Sequence, residues 1–250
     1  MRLRIILEAA RETTVPINYQ EYLTAAVYHL LGTSSADFAR FLHDDGYQAE
    51  GSAKRFKLFH FGWLHGRRRV DGQTLRFAPG LVEWRIGSPL PDFLTHCATG
   101  LLAAGALQVG PATFGISAIE TLPAPAFTSA PAHFTCLSPI VCALPLPDGR
   151  TRYLRPADDE FSEAVRRNLL AKHLALHDAP PTDDTLHLRF DPAYLERSPG
   201  TKKITYKGID IVGAFAPFTL SGSPALIQLG YEAGMGEKNA SGFGMVETIP

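Results

Sequence analysis

Residues 123–131 read PAPAFTSAP, a run with three prolines and no charge that parts the chain into two segments of similar length. Proline fixes φ and has no N–H to give to a helix or a sheet ladder, so this run reads as a linker. Behind it, Phe114–Leu122 reads as a strand and Leu90–Ala104 as a helix, with strand-like runs at 81–87, 74–78 and 56–64. Gly46–Lys54 is polar and reads as a loop. Ser34 or Ser35 caps a short helix carrying Phe38, Phe41 and Leu42. Before that, Leu23, Ala26, Val27, Leu30 and Leu31 repeat at helical spacing from Tyr19 onward, until Gly32 ends the pattern. The first residues alternate, Leu3, Ile5 and Leu7 against Arg2, Arg4 and Glu8, which is a half-buried strand.

Ahead of the linker the pattern restarts. Phe134–Leu144 reads as a strand and Asp158–His177 as an amphipathic helix, with strands near 185–190, 203–207 and 209–215. A short helix at Pro224–Ala233 and a strand at Gly242–Ile249 close the chain. Each half is approximately βαββαβ. The expected fold is therefore α+β, with two tandem ferredoxin-like domains at 1–125 and 131–250, each an antiparallel sheet with helices on one face.

Composition sets bounds on this reading. The chain has 250 residues, 45% hydrophobic and 20% charged, as expected of a folded soluble protein. Its N-terminus, MRLRIILEAARE, lacks the apolar run and cleavage site of a secretory signal. No stretch approaches the roughly 18 apolar residues of a membrane helix. The expected location is the cytoplasm, with no membrane partner. Cys97, Cys136 and Cys142 have no CxxC spacing and read as buried apolar residues. His173 and His177 stand four apart on a helix but lack a third ligand, so no metal or cofactor is expected. The net charge of −1 leaves no global basic footprint. Basic residues do cluster at Arg67–Arg69, at Arg150, Arg152 and Arg155, at Arg166–Arg167, and at Lys202, Lys203 and Lys207. Composition thus permits RNA binding without arguing for it.

Residues 229–246 read LGYEAGMGEKNASGFGMV. Glycines at 230, 234, 236, 242 and 244 allow positive φ and close backbone approach, and consecutive N–H groups in such a loop can bind phosphate. It is not a nucleotide cradle: Glu237 separates Gly236 from Lys238, and the loop follows a helix rather than a strand. On physical grounds a structural turn and a phosphate-facing loop stand level.

The string GYEAGMGEKNASGFGMV resembles the C-terminal signature of the CRISPR-associated repeat-RNA processing endoribonucleases (the Cas-six family, within the RAMP superfamily of ferredoxin-like RNA-binding proteins). PINYQEYLTAAVYHLL, FLHDDGY, RFKLF, LSPI at 137–140 and DEFSEAVRRNLLAKH at 159–173 resemble other family segments in the same order. The resemblance implies tandem ferredoxin-like domains, a positively lined cleft and repeat RNA (pre-crRNA) as partner. Subunits of a CRISPR effector complex and a second copy of the chain stay open as further partners. Gly230, Gly234, Gly236, Lys238, Asn239, Ser241, Gly242 and Gly244 are then expected to contact or shape the RNA path.

RNA can be cut without a metal when the adjacent 2′-hydroxyl attacks. That reaction needs a base for the hydroxyl, an acid for the departing 5′-oxygen and a cation for the charge on phosphorus. The resemblance places these roles on Tyr28, His43 and Lys57, with Lys54 or Arg55 as alternatives to Lys57 because the loop from Asp44 to Arg55 is long. The residues themselves leave blander readings open. His43 also reads as a helix-capping histidine, its charged form favoured by the helix end and by Asp44 and Asp45. Tyr28 also reads as a boundary tyrosine, and Lys57 as a snorkelling lysine beside Phe59 and Phe61. His60 reads as a core histidine, and His65 is a further rival to His43. The products expected are a 2′,3′-cyclic phosphate and a 5′-hydroxyl. The alternative is a non-catalytic RAMP-type RNA-binding subunit of a CRISPR effector complex.

Overall fold

The computed structural model describes residues 1–128 and 131–249. The first half runs β1 (Arg2–Ala9), β2 (Thr13–Pro16), α1 (Gln20–Ser34), α2 (Ala36–Asp44), β3 (His60–Phe61), β4 (His65–Asp71), β5 (Thr74–Gly87), α3 (Pro91–Ala104), β6 (Ala106–Val109) and β7 (Ala112–Leu122). β1 pairs antiparallel with both β5 and β7, and β4 lies along the other edge of β5. Leu3, Ile5 and Leu7, all buried, turn toward α1 and α3, while Arg4 on the opposite face bonds Glu83 and Glu120. The two helices touch so closely that a Cβ on Gly100 would lie 2.1 Å from the carbonyl oxygen of Leu30.

The second half runs β8 (Ala132–Cys136), β9 (Ala143–Pro145), β10 (Thr151–Tyr153), α4 (Glu160–His177), β11 (Leu186–Phe190), α5 (Pro192–Leu195), β12 (Thr201–Tyr206), β13 (Ile209–Ala214), β14 (Phe218–Gly222), α6 (Pro224–Ala233) and β15 (Val246–Thr248). Its sheet order, β11-β14-β8-β15, repeats the β4-β5-β1-β7 order of the first half, with every neighbour antiparallel. Two tandem ferredoxin-like units result. The hairpins β9–β10 and β12–β13 are additions outside the sheet.

Several elements differ from expectation. α1 runs through Gly32 to Ser34, because one exposed glycine costs only about 1 kcal/mol while Leu30 and Leu31 are buried. Residues 56–64 are a strand only at His60–Phe61, since Leu58 takes a left-handed φ of 52°. The runs at 74–78 and 81–87 are one strand, β5, which passes through Gly80 at φ 132°. Residues 134–144 divide into β8 and β9, and the last strand covers Val246–Thr248 alone. The strands near 203–207 and 209–215 form the extra hairpin, and β14 takes the sheet position expected of them. In the proposed linker, Ser129 and Ala130 lie outside the described residues, and Phe127 packs on Phe134 and Tyr231.

The two halves meet along a tightly packed seam. Phe56 and Leu58 of the first half join the second hydrophobic core, and Trp63 stacks on Phe215 at 5.2 Å. Arg2, 0% exposed, donates to the Tyr231 carbonyl at 2.8 Å and lies 3.4 Å over the Tyr231 ring. Arg85 bonds Glu247 across the same seam. No helix among the described residues is long and apolar enough to cross a membrane.

Candidate active site

α1 buries Leu23, Val27, Leu30 and Leu31, which leaves Tyr28 half-buried on the flank of that stripe. The Tyr28 ring meets Phe59 edge-on at 6.0 Å and His43 edge-on at 5.4 Å. Burial, then the nearby Tyr206, pushes the Tyr28 hydroxyl up to about 12. It therefore stays a phenol at neutral pH, able to donate a hydrogen bond.

His43 stands in the last turn of α2, its side chain 71% exposed. Its Nδ1 lies 2.8 Å from Asp44 Oδ1, and that hydrogen bond holds the Asp44 carboxyl below the usual range. Among the described residues Nε2 has no protein partner, so it is the nitrogen free to exchange a proton.

Lys57 is 14 residues further on, yet its Nζ donates to the His43 carbonyl at 2.7 Å. The reason is local. Tyr47 and Phe56 exchange two backbone hydrogen bonds of 2.7 Å, which close the excursion between them and return the chain to the end of α2. Burial and then Arg55 lower the Lys57 pKa, against an upward pull from Asp44 and Asp45. The two alternatives, like Lys57, have protein partners. Arg55 donates to the Asp44 carbonyl at 2.9 Å, and Lys54 faces Glu237 at 3.9 Å. The Tyr28 ring is thus set beside the His43 ring, and Lys57 Nζ against the His43 backbone, at the end of α2.

Beside them opens a cavity of about 250 Å³, lined among others by Lys54, Arg55, Lys57, Asn168, Lys172 and Lys238. The glycine-rich loop forms its far wall. Gly230 lies inside α6, buried against Met235 and Leu169. Gly234, Gly236, Gly242 and Gly244 are also buried, and each has positive φ. A Cβ at Gly244 would fall 2.0 Å from the Met235 carbonyl oxygen, so the glycines serve the folding of the turn. Asn239 is buried, donating to the Met235 and Phe243 carbonyls at 3.0 and 3.1 Å. Ser241 is half-buried, its N–H bonded to the Lys238 carbonyl, and Lys238 alone of the eight is exposed.

One residue at the centre of this loop escaped the sequence reading. Lys172 on α4 is 2% exposed, and its ammonium donates to Gly234 O at 2.6 Å, Gly236 O at 2.9 Å and Asn239 Oδ1 at 2.7 Å. Burial, then Lys54, lowers its pKa to about 7. A signal was present. Phe161, Val165, Asn168, Lys172 and Ala175 share the buried helical stripe, so a lysine there had to find acceptors. His60, read as a core histidine, is fully buried beneath Gly234, and burial followed by Arg2 drives its pKa well below the usual value. The His173 and His177 rings lie 4.4 Å apart, tilted by 48°, and no group of three metal-ligating side chains occurs among the described residues.

Known proteins share both halves of the chain. The family model of the C-terminal part of CRISPR-associated protein Cas6 matches residues 122–248, and the model of its N-terminal part (type I-A) matches residues 14–120. The CRISPR-associated endoribonuclease Cas6 1 of Methanocaldococcus jannaschii is 30% identical over 100% of this chain and 93% of its own length. A solved structure of a CRISPR-associated protein Cas6, 28% identical, superposes with a TM-score of 0.79 over 100% of this chain and 99% of its own. The product of a Cas6-related gene from Pyrococcus furiosus, 21% identical, shares the fold with a TM-score of 0.86 over 100% and 98% of the two chains. With both halves matched in order along the chain, the protein belongs to the CRISPR-associated Cas6 family.

Proposed function

We propose that this protein is an endoribonuclease that cuts CRISPR repeat RNA by attack of the adjacent 2′-hydroxyl, without a metal, leaving a 2′,3′-cyclic phosphate and a 5′-hydroxyl. The observation that carries the reading is the meeting of three groups from separate segments: the Tyr28 ring 5.4 Å from His43, and Lys57 Nζ 2.7 Å from the His43 carbonyl. In this reading residues 1–125 form the domain that bears the reacting groups. Residues 131–250 form the domain whose loop faces the RNA.

His43 Nε2 takes the proton of the 2′-hydroxyl as that oxygen bonds to phosphorus and gives it to the 5′-oxygen as the P–O5′ bond breaks, while Asp44 holds Nδ1 and fixes the orientation of the ring. Tyr28, kept protonated, donates a hydrogen bond that orients the reacting strand. Lys57 stabilises the charge that develops on the non-bridging oxygens of the phosphate. Lys54, Arg55 and Lys238 line the neighbouring cavity and hold flanking phosphates. Effector-complex subunits and a second copy of the chain are further candidate partners.

The test is incubation of the protein with labelled repeat RNA in EDTA, beside His43→Ala and an RNA lacking the 2′-hydroxyl at the cut site. The expected result is cleavage that persists in EDTA, stops with the deoxy substrate and falls by about 10²–10⁴ in the variant. Binding of repeat RNA with no cleavage would favour the non-catalytic subunit instead.

A further inference from the structure

Lys172 is a buried cation, and each of its three partners, Gly234 O, Gly236 O and Asn239 Oδ1, is a neutral acceptor. The one acid of the loop, Glu237, pairs with Lys54 at 3.9 Å and accepts no hydrogen bond from Lys172. Burying an ammonium against neutral groups is costly, and an apolar side chain in the same stripe of α4 would cost less. What the ammonium supplies and an apolar side chain cannot is three N–H donors converging on one turn.

What it holds is specific. Gly234 and Gly236 have φ of 87° and 65°, and both of their carbonyl oxygens converge on this ammonium. Asn239, which also binds it, turns its other amide atom to Met235 O and Phe243 O. Lysine and asparagine together gather the turn from both ends. The turn in turn leans on the segments that carry the reacting groups. The Thr24 hydroxyl, one turn before Tyr28 on α1, is shared between Gln20 O at 3.0 Å and Ala240 O at 3.3 Å. Gly242 packs against the Phe61 ring and Gly234 against His60, on the segment that begins with Phe59, the ring Tyr28 meets edge-on. Lys172 and Lys57 also line the same cavity.

We propose that Lys172 is a positioning residue for RNA cleavage: it holds the glycine-rich turn so that its Ala240 end braces α1 and sets Tyr28 against the substrate. The inference rests on the proposed function above, and it concerns a residue that never touches the reacting atoms.

The experiment uses the full chain with repeat RNA in three variants: Lys172→Met, Asn239→Ala and the double substitution. Thermal melting, RNA affinity and the single-turnover cleavage rate at saturating RNA are measured for each. The expected result is a folded protein whose rate falls at least about tenfold, because small misplacements of reacting groups are costly. RNA affinity should change by less than about threefold, and the double variant should cut no more slowly than the slower single one. An unchanged rate, or a loss that vanishes once RNA is saturating, overturns the proposal. Should Lys172→Met fail to fold, Asn239→Ala carries the same two readings, since it leaves the lysine in place. A wild type that binds without cutting refutes the proposed function itself, a result distinct from wild-type cutting with intact variants.

Discussion

At the scale of the residue, the site joins side chains whose environments assign them different work. Tyr28 is held as a phenol, whereas His43 is exposed and already oriented by Asp44. Tyr28→Phe keeps the ring contacts with Phe59 and His43 and removes only the hydroxyl. Its expected effect is a loss of about 10- to 100-fold in single-turnover cleavage with little change in RNA affinity. Because the hydroxyl titrates near 12, the pH–rate curves of wild type and variant should run parallel from about pH 6 to about pH 9. A pH-dependent gap in that range would show that Tyr28 acts as a base after all. The resemblance singled out Tyr28, His43 and Lys57, and the structure sets the Tyr28 ring beside His43 and Lys57 Nζ on the His43 carbonyl. Lys172 was not legible, since a lysine in an amphipathic helix reads as solvated until its place in the stripe is counted against its neighbours.

At the scale of the element, helices and buried strands were legible and edge structure was not. α1, α3 and α4 carry apolar spacing that only a helix satisfies. β4 was invisible because every residue from Arg67 to Asp71 is exposed, so no alternation marks it. β14 was hidden behind the β12–β13 hairpin, which shows the same local pattern but packs outside the sheet. Residues 58–61 broke their alternation because all four are buried between the halves. The closest element contact is also testable. Gly100→Ala sets a methyl group 2.1 Å from the Leu30 carbonyl oxygen, and α1 and α3 must separate to admit it. Overpacking of this kind costs about 1–3 kcal/mol, readable as a lower denaturant midpoint. An unchanged midpoint would mean that the helices slide apart freely.

At the scale of the whole molecule, the seam concentrates basic groups: Arg2, His60 and Lys172 are all buried, and burial lowers the pKa of each. For Lys172 the folded value is about 7 against an ordinary 10.5. The groups that face it are Lys54, which lowers the value further, and Cys142 and Glu237, which raise it. Below about pH 7 both folded and unfolded chains carry the proton and the full burial cost is present. Above that value the folded chain releases the proton first, so the unfolded chain binds more. This group therefore adds stability as pH rises toward 10.5, by at most about 1.4 kcal/mol per pH unit. Chemical denaturation should show wild type gaining on Lys172→Met between about pH 7 and about pH 9.5. A difference that stays flat across that range would mean the ammonium is better solvated than its burial implies.

The paired hydrogen bonds between Tyr47 and Phe56 carry a consequence for how such a chain can change over time. They clamp the neck of the excursion, so the mostly exposed residues 50–55, beyond the buried Ala49, hang from a fixed base like a tab. Doubling the length of a flexible loop costs only about 0.6 kcal/mol in closure entropy. Residues gained or lost inside the tab therefore leave the distance from His43 to Lys57 untouched. The spacing of those two residues along the chain is free to drift while their spacing in the folded molecule is not.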